Sequence, residues 1–309
     1  MNAKPKFSLP EKGEVFTDQV LERCKSLSVT KIWEELSPLR LDTWMNNFSN
    51  PLERYFAACI LDALVYRSRK QTVALMEHLF QRSIVDLVRQ APCPLASVNT
   101  LIDTLASRST KEDPHIRLVP VLRPSDPPTK SGPLLARLYR RHLNFNEKWM
   151  IWPWAINEAK KSGTKVFIFI DDFSGTSRQF QDFANQFNLA RQLRDTYPIY
   201  APLVAHQRGL GLLRKRLPFM NVCSAELLDD THGLFAKGSR HFSDGVNSPP
   251  LALRYYQEFL QQKQISISQR FRMGFGRLAL AYSFEHATPN NCLPLLWMPS
   301  PNWEPLFER

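Results

Sequence analysis

From residue 116 onward, short apolar runs of strand length alternate with segments of helical spacing, and this alternation limits the fold more than any other feature of the chain. The runs are IRLVPVL (116–122), KVFIFI (165–170), IYAPLVA (199–205), NVCSAEL (221–227) and RLALAYSF (277–284). Helical segments lie between several of them, at 131–142, 178–194 and 252–262. Continuous apolar strands are buried on both faces, so the pattern predicts a mostly parallel sheet covered by helices, an α/β fold.

The 309 residues are enough for one large α/β domain or for a catalytic domain with a helical extension, and the second arrangement fits better. Hydrophobic residues at 43% and charged residues at 22% exclude wholesale disorder and fibrous repeats. The formal charge of +11 favours polyanionic partners such as nucleic acid or nucleotides, or else an ordinary solvated basic surface. Cys24, Cys59, Cys93, Cys223 and Cys292 form no C-x-x-C pair and have no histidine at metal-ligand spacing, so they read as reduced core residues. No apolar leader opens the chain and no 18 apolar residues run together, which implies a cytoplasmic protein without a membrane partner.

The first third reads as helical. Asn50, Pro51 and Glu53 make an N-cap, a proline at the first helical position and a capping-box acid, predicting a helix to about Tyr66. Ser68 and Gln71 repeat the capping box and open a second helix through Leu87. This pair is either a plain αα-hairpin, the favoured reading, or a DNA-binding helix-turn-helix with Arg67, Arg69, Lys70, Arg82 and Arg89 on phosphates. Pro92, Pro94 and a Ser/Thr-rich stretch place the domain seam near residue 114, giving a helical region 1–114 and an α/β domain 115–309.

The run at 165–170 ends in Asp171 and Asp172, followed by the Gly- and Ser-containing loop FSGTSRQF. Ligands of open α/β sheets bind where strands end, so the two carboxylates mark a candidate site; capping of the next helix is the structural alternative. Adjacent carboxylates repel, and both stay ionised only beside cations, ligand hydroxyls, N–H donors or water. The chain contains no G-x-x-x-x-G-K-[ST] phosphate loop, and GLGLL (209–213) supplies only a lone G-x-G.

Apolar strand, two acids, three residues, threonine and a turn into a helix together resemble the loop of type I phosphoribosyltransferases that binds phosphoribosyl pyrophosphate (PRPP). The resemblance implies that Asp171 and Asp172 hold the ribose 2′- and 3′-hydroxyls and act catalytically, contacting Mg2+ only indirectly, through the ribose. It also implies that Gly175, Thr176, Ser177 and Arg178 cradle the 5-phosphate at a helix N-terminus, where unpaired N–H groups and the helix dipole favour an anion. Phe180 would anchor that helix. The pyrophosphate loop would fall at Lys130, Ser131 and Gly132, with Ser131 also suited to an N-cap. The chain departs from the common T-G-x-T ending, having Thr176, Ser177, Arg178 and Gln179.

The segments LERYFAACILDALVYRS, SGPLLARLYRR and IDDFSGTSRQF, with the ending TPNNCLPLLWMPSPNWEPLFER, resemble a phosphoribosyltransferase-like family of bacterial conflict systems. That resemblance implies a toxin-like effector of anti-phage defence acting on PRPP or nucleotides. Its implied partners include, in retron operons, a reverse transcriptase with its RNA/DNA hybrid and a DNA-binding protein. The alternative is a catalytically degenerate fold kept as a nucleotide sensor or a docking module. Arg137, Arg140 and Arg141, and Arg214, Lys215 and Arg216 in the run that begins at His206, are candidates for contact with nucleic acid or a protein partner, or are plain basic faces. Trp297 and the TPNN turn read as core rather than as a cover for the base.

Overall fold

The computed structural model describes residues 5–91, 101–108, 113–127, 129–239, 241–242 and 244–308. Pro92, Cys93, Pro94 and Arg309 lie outside them. In chain order come helices α1 (Gly13–Val29), α2 (Pro38–Met45) and α3 (Pro51–Asp62), strand β1 (Val65–Arg67) and helix α4 (Arg69–His78). A π-helical turn (Leu79–Ser83) leads to α5 (Ile84–Val88) and α6 (Leu101–Ala106), then β2 (Ile116–Pro120), α7 (Ser131–Leu143), α8 (Ile156–Lys161) and β3 (Val166–Ser174). Next are α9 (Arg178–Gln186), α10 (Leu189–Gln192), β4 (Tyr197–His206), α11 (Gln207–Arg216), β5 (Asn221–Val222), β6 (Glu226–Leu228), α12 (Pro249–Gln262) and β7 (Tyr282–Phe284).

The chain divides into two compact units, one of residues 1–70 with 229–309 and one of residues 71–228. The composition shifts near residue 114, where the sequence alone places the boundary. Composition carries no record of a segment that returns to an earlier one, and here the C-terminal 81 residues join the first 70.

In the first unit, α3 starts as its sequence dictates: Asn50 Oδ1 accepts from the Glu53 N–H at 3.0 Å, with Pro51 at the first helical position. The helix stops at Asp62, short of the expected Tyr66, because Val65–Arg67 pairs in parallel with Tyr282–Phe284. The expected tight helix–helix turn is therefore absent, and Arg67 and Arg69 are engaged by Tyr282 and Glu285. The run at 277–284 supplies only β7, in this two-stranded sheet and not in the larger one. Aromatic packing builds the core, with Phe56 against Tyr255 and Phe48 against Phe259 and Trp303. The Trp44 and Trp303 indoles both donate to the Leu295 carbonyl, at 2.9 and 3.1 Å. Trp297 is buried and donates to the Cys292 carbonyl, and Asn291 donates to the Phe275 carbonyl, so this turn closes a core.

The second unit holds a five-stranded parallel sheet in the order β2-β3-β4-β5, with β6 also paired to β4. The run at 221–227 is thus two strands, broken at Cys223–Ala225. Period-2 alternation puts Phe167 and Phe169 on one face, where they pack with Phe180 and Phe183 of α9, Leu189 of α10 and Leu213 of α11. On the other side α7 packs across β2 and β3, and α5 on β4, around the buried rings of Phe80, Tyr139 and Phe145. The helix expected over 178–194 breaks after Phe187, where Asn188 has a left-handed φ of 48°. The described cysteines are free: Cys24, Cys59 and Cys292 are buried, and Cys223 is half-buried. Among the described residues no helix is long and apolar enough to cross a membrane.

Candidate phosphate and ribose site

The two aspartates lie within β3, which runs on to Ser174 before the loop turns into α9. Alternation splits the pair. Asp171 points inward at 2% exposure, and Asp172 is half-buried at the end of the sheet. Asp171 Oδ2 accepts from the Tyr200 hydroxyl at 2.9 Å, and its Oδ1 accepts from the Asp172 N–H at 3.1 Å. Asp172 Oδ1 in turn accepts from the Phe173 N–H at 2.8 Å.

Burial pushes the Asp171 carboxyl well above the usual carboxylate range, and the neighbouring Asp172 charge pushes it further; the Tyr200 hydroxyl and the Lys130 ammonium oppose this without reversing it. Both effects favour the neutral form of Asp171, which relieves the repulsion that adjacency imposes. Burial, then the Asp171 charge, also raises the Tyr200 hydroxyl, so it remains a donor.

Tyr200 ties the acids to the next helix. Its ring stacks on Phe180 at a centroid distance of 3.7 Å and 19° between planes, so Phe180 anchors α9 to β4. Gly175 and Ser177 are buried, Thr176 is half-buried, and exposed Arg178 pairs with Asp182 one turn along α9 at 3.0 Å. Ser177 caps α9 in a left-handed conformation, φ 54°, and its Oγ lies 2.9 Å from Ser174 Oγ. Ser177 holds the place of the glycine in T-G-x-T. The backbone keeps the turn that glycine favours, with a serine bearing the steric strain.

A second element closes on this loop. A Cβ on Gly209, in the first turn of α11, would stand 2.4 Å from the Gly175 carbonyl oxygen and 2.9 Å from Ser177 Oγ. Only glycine lets α11 approach so closely. The G-x-G of GLGLL, which means little as a dinucleotide signature, therefore has a packing role beside the loop. His206 is buried and caps α11 by accepting the Arg208 N–H at 3.2 Å, so it is not part of an exposed basic run.

The candidate pyrophosphate loop meets the same place. Lys130 Nζ donates to Gln179 Oε1 at 3.1 Å, bringing the segment before α7 to the first turn of α9. Lys130, and not Ser131, occupies the N-cap of α7; Ser131 is its first helical residue. Gly132 sits where a Cβ would be 3.0 Å from the Val121 carbonyl, so α7 begins tight against the end of β2. Lys130, Asp171, Asp172, Gly175, Thr176 and Ser177 thus gather at the C-terminal ends of β2 and β3. Sequence reasoning missed Tyr200 and Gly209: Tyr200 reads as one more residue of an apolar strand.

The other basic candidates are elsewhere. Arg137, Arg140 and Arg141 lie on the latter half of α7, and Arg214, Lys215 and Arg216 are exposed in the last turn of α11, where cations complement the helix dipole. Among the described residues no three His, Cys, Asp or Glu side chains gather as metal ligands. The carboxylate pair is a hard oxygen donor set that suits magnesium, but only with further oxygens from a bound ligand.

No curated protein matches the chain. The model of the PRTase-CE family matches residues 41–309, which include both acids, the loop, the segment before α7 and the C-terminal TPNN turn. The chain belongs to the PRTase-CE family and is phosphoribosyltransferase-like.

Proposed function

We propose that the ends of β2 and β3 bind a 5-phosphorylated ribose, as PRPP or a nucleoside 5′-phosphate. The observation that carries this reading is the union of a half-buried carboxylate, Asp172, with a left-handed turn opening α9 and a lysine within reach of that turn. The N–H groups of the first turn of α9 and the Ser177 and Thr176 hydroxyls would take the 5-phosphate. Asp172 would accept from the ribose hydroxyls, while Asp171, bonded to Tyr200, holds it in place. Magnesium, bound with such a ligand, would neutralise phosphate charge. In transfer, the C1–O bond to pyrophosphate breaks, pyrophosphate leaves with the bonding pair, and the Asp172 charge stabilises the cationic C1 that an acceptor then attacks. Such chemistry, directed at nucleotide pools, suits a cytoplasmic anti-phage effector of the retron kind, which the resemblance of the loop and of the C-terminal TPNN pattern supports.

The second reading, a nucleotide sensor without turnover, is favoured by the burial of Asp171 and by Gln179, which engages Lys130 in place of a free hydroxyl. Titration calorimetry with PRPP and with a nucleoside monophosphate, each with Mg2+, tests the site. Asp172→Asn should bind at least about tenfold more weakly than wild type, equivalent to about 1.4 kcal/mol. Equal binding by both proteins, or none by either, removes the reading. Binding without release of pyrophosphate selects the sensor.

A further inference from the structure

The second unit carries a cavity of about 920 Å³ whose lining includes Arg108, Arg137, Arg140 and Arg141, with Asn144 and Glu147. It belongs to a different end of the unit from the ribose site. The 13-residue α7 spans roughly 20 Å, beginning at Lys130 beside the phosphate loop and ending at Asn144 in this cavity.

Four guanidinium groups face one carboxylate. Arg140 Nε pairs with Glu147 at 2.8 Å, and among the described residues no acceptor or acid pairs with Arg108, Arg137 or Arg141. Arg137 and Arg141 stand at i and i+4 on the same helix, an arrangement in which like charges destabilise it. The helix dipole accounts for cations in the last turn, hence for Arg140 and Arg141. It does not account for Arg137, a turn earlier, nor for Arg108, which arrives from the separate segment after α6. Cations brought from two segments into one concavity, with Glu147 the one acid among the described lining residues, are arranged for an external anion.

Planar guanidinium groups match phosphate oxygens in bidentate geometry. The spacing indicates more than one phosphate, since Arg137 and Arg141 are about 6 Å apart along the helix axis. The one ring in the lining, Phe145, is buried against Phe80 and Tyr139 and offers no face for a base. We infer that this arginine-lined cavity is a second anion site that takes a run of consecutive phosphate groups by their oxygens alone, without reading bases. The chemistry is shared by a nucleic-acid strand and by a small polyphosphate.

The test uses the full chain and two probes, a single-stranded thymidine 20-mer and inorganic tripolyphosphate, across 50–200 mM salt. Each phosphate neutralised on a single strand contributes about 0.7 to the slope of log affinity against log salt. Three guanidinium contacts then contribute about 2, or roughly 20-fold over that salt range. Arg108→Ala/Arg137→Ala/Arg141→Ala should flatten the slope for the oligonucleotide by about that amount, and Arg137→Gln/Arg141→Gln, which removes the charge but keeps a polar end on the aliphatic stem, by about two thirds of it. If only tripolyphosphate binding weakens, the site stands and its ligand is the small polyphosphate. Wild-type affinity and slope retained by both variants for both probes, or no binding of either probe by wild type, overturns the inference. The ribose-site reading is tested by Asp172→Asn and PRPP, so either proposal can fail alone.

Discussion

Replacing Tyr200 by phenylalanine removes one oxygen from a fully packed position and leaves the ring stacked on Phe180. What is lost is the hydrogen bond donated to Asp171 Oδ2 at 2.9 Å, between two groups both sealed from water. A bond to a neutral partner contributes about 0.5–1.5 kcal/mol, and one to a charged partner about 1.5–3 kcal/mol. The penalty therefore depends on which form of Asp171 the fold holds. Burial raises the folded-state pKa of Asp171 above its unfolded value. Its contribution to stability is fully present below the usual carboxylate range, near pH 4, and is lost as pH rises through the folded-state value. The Tyr200 hydroxyl lowers that value, so it favours the carboxylate over the acid, and deleting it moves the folded-state pKa higher still. The loss should be about 1 kcal/mol where Asp171 is protonated and grow towards about 2–3 kcal/mol as pH rises through its folded-state value. Thermal melts of wild type and Tyr200→Phe at pH steps between 5 and 9 measure it, at roughly 2–4 °C per kcal/mol for a unit of this size. Tyr200 itself stays protonated throughout, its hydroxyl being raised by burial. A penalty that shrinks as pH rises refutes the reasoning.

Two further outcomes test the loop. Gly209→Ala should weaken PRPP binding by more than tenfold, because the added carbon meets backbone oxygen that cannot swing aside; a net stability loss of about 1–2 kcal/mol remains after the helix-favouring effect of alanine, read by urea melts. Ser177→Gly should leave stability within about 0.5 kcal/mol, since relief of the left-handed strain offsets loss of the Ser174 contact, whereas Ser177→Ala keeps the strain, loses the contact and should cost about 1 kcal/mol. Equal melts for the two Ser177 variants would contradict that account.

Much of the sheet was legible because its strands are buried on both faces: 116–122, 165–170 and 199–205 are apolar runs that nothing but a covered strand explains. The start of α7, the cap of α3 and the order strand, acids, loop, helix were equally visible, since each is a local arrangement. What stayed hidden depends on partners distant in sequence. Val65–Arg67 continues a helical spacing and turns extended only because Tyr282–Phe284 lies beside it. Tyr200 looks like core until the register of β3 and β4 brings its hydroxyl to Asp171. Gly209 looks like a helix residue of no consequence until Gly175 is placed against it. The two acids read as equals in sequence, whereas alternation along the strand buries Asp171 against Tyr200 and leaves Asp172 half-buried at the end of the sheet.

The division of the chain orders its assembly in time. Residues 71–228 are continuous, and their sheet joins neighbours in sequence, so this unit can complete itself while the chain is still being made. The first unit cannot. Its β1 must wait for β7, more than 200 residues later, and Trp44 must wait for Leu295. Until those residues arrive, α3 and β1 expose apolar surface and an unpaired strand edge, the features on which nascent chains misassociate. Translation that stops within the last eighty residues would therefore release a chain whose acids, loop and arginine cavity are built but whose first unit is open, and the fate of such a chain is decided by its aromatic core, not by its site.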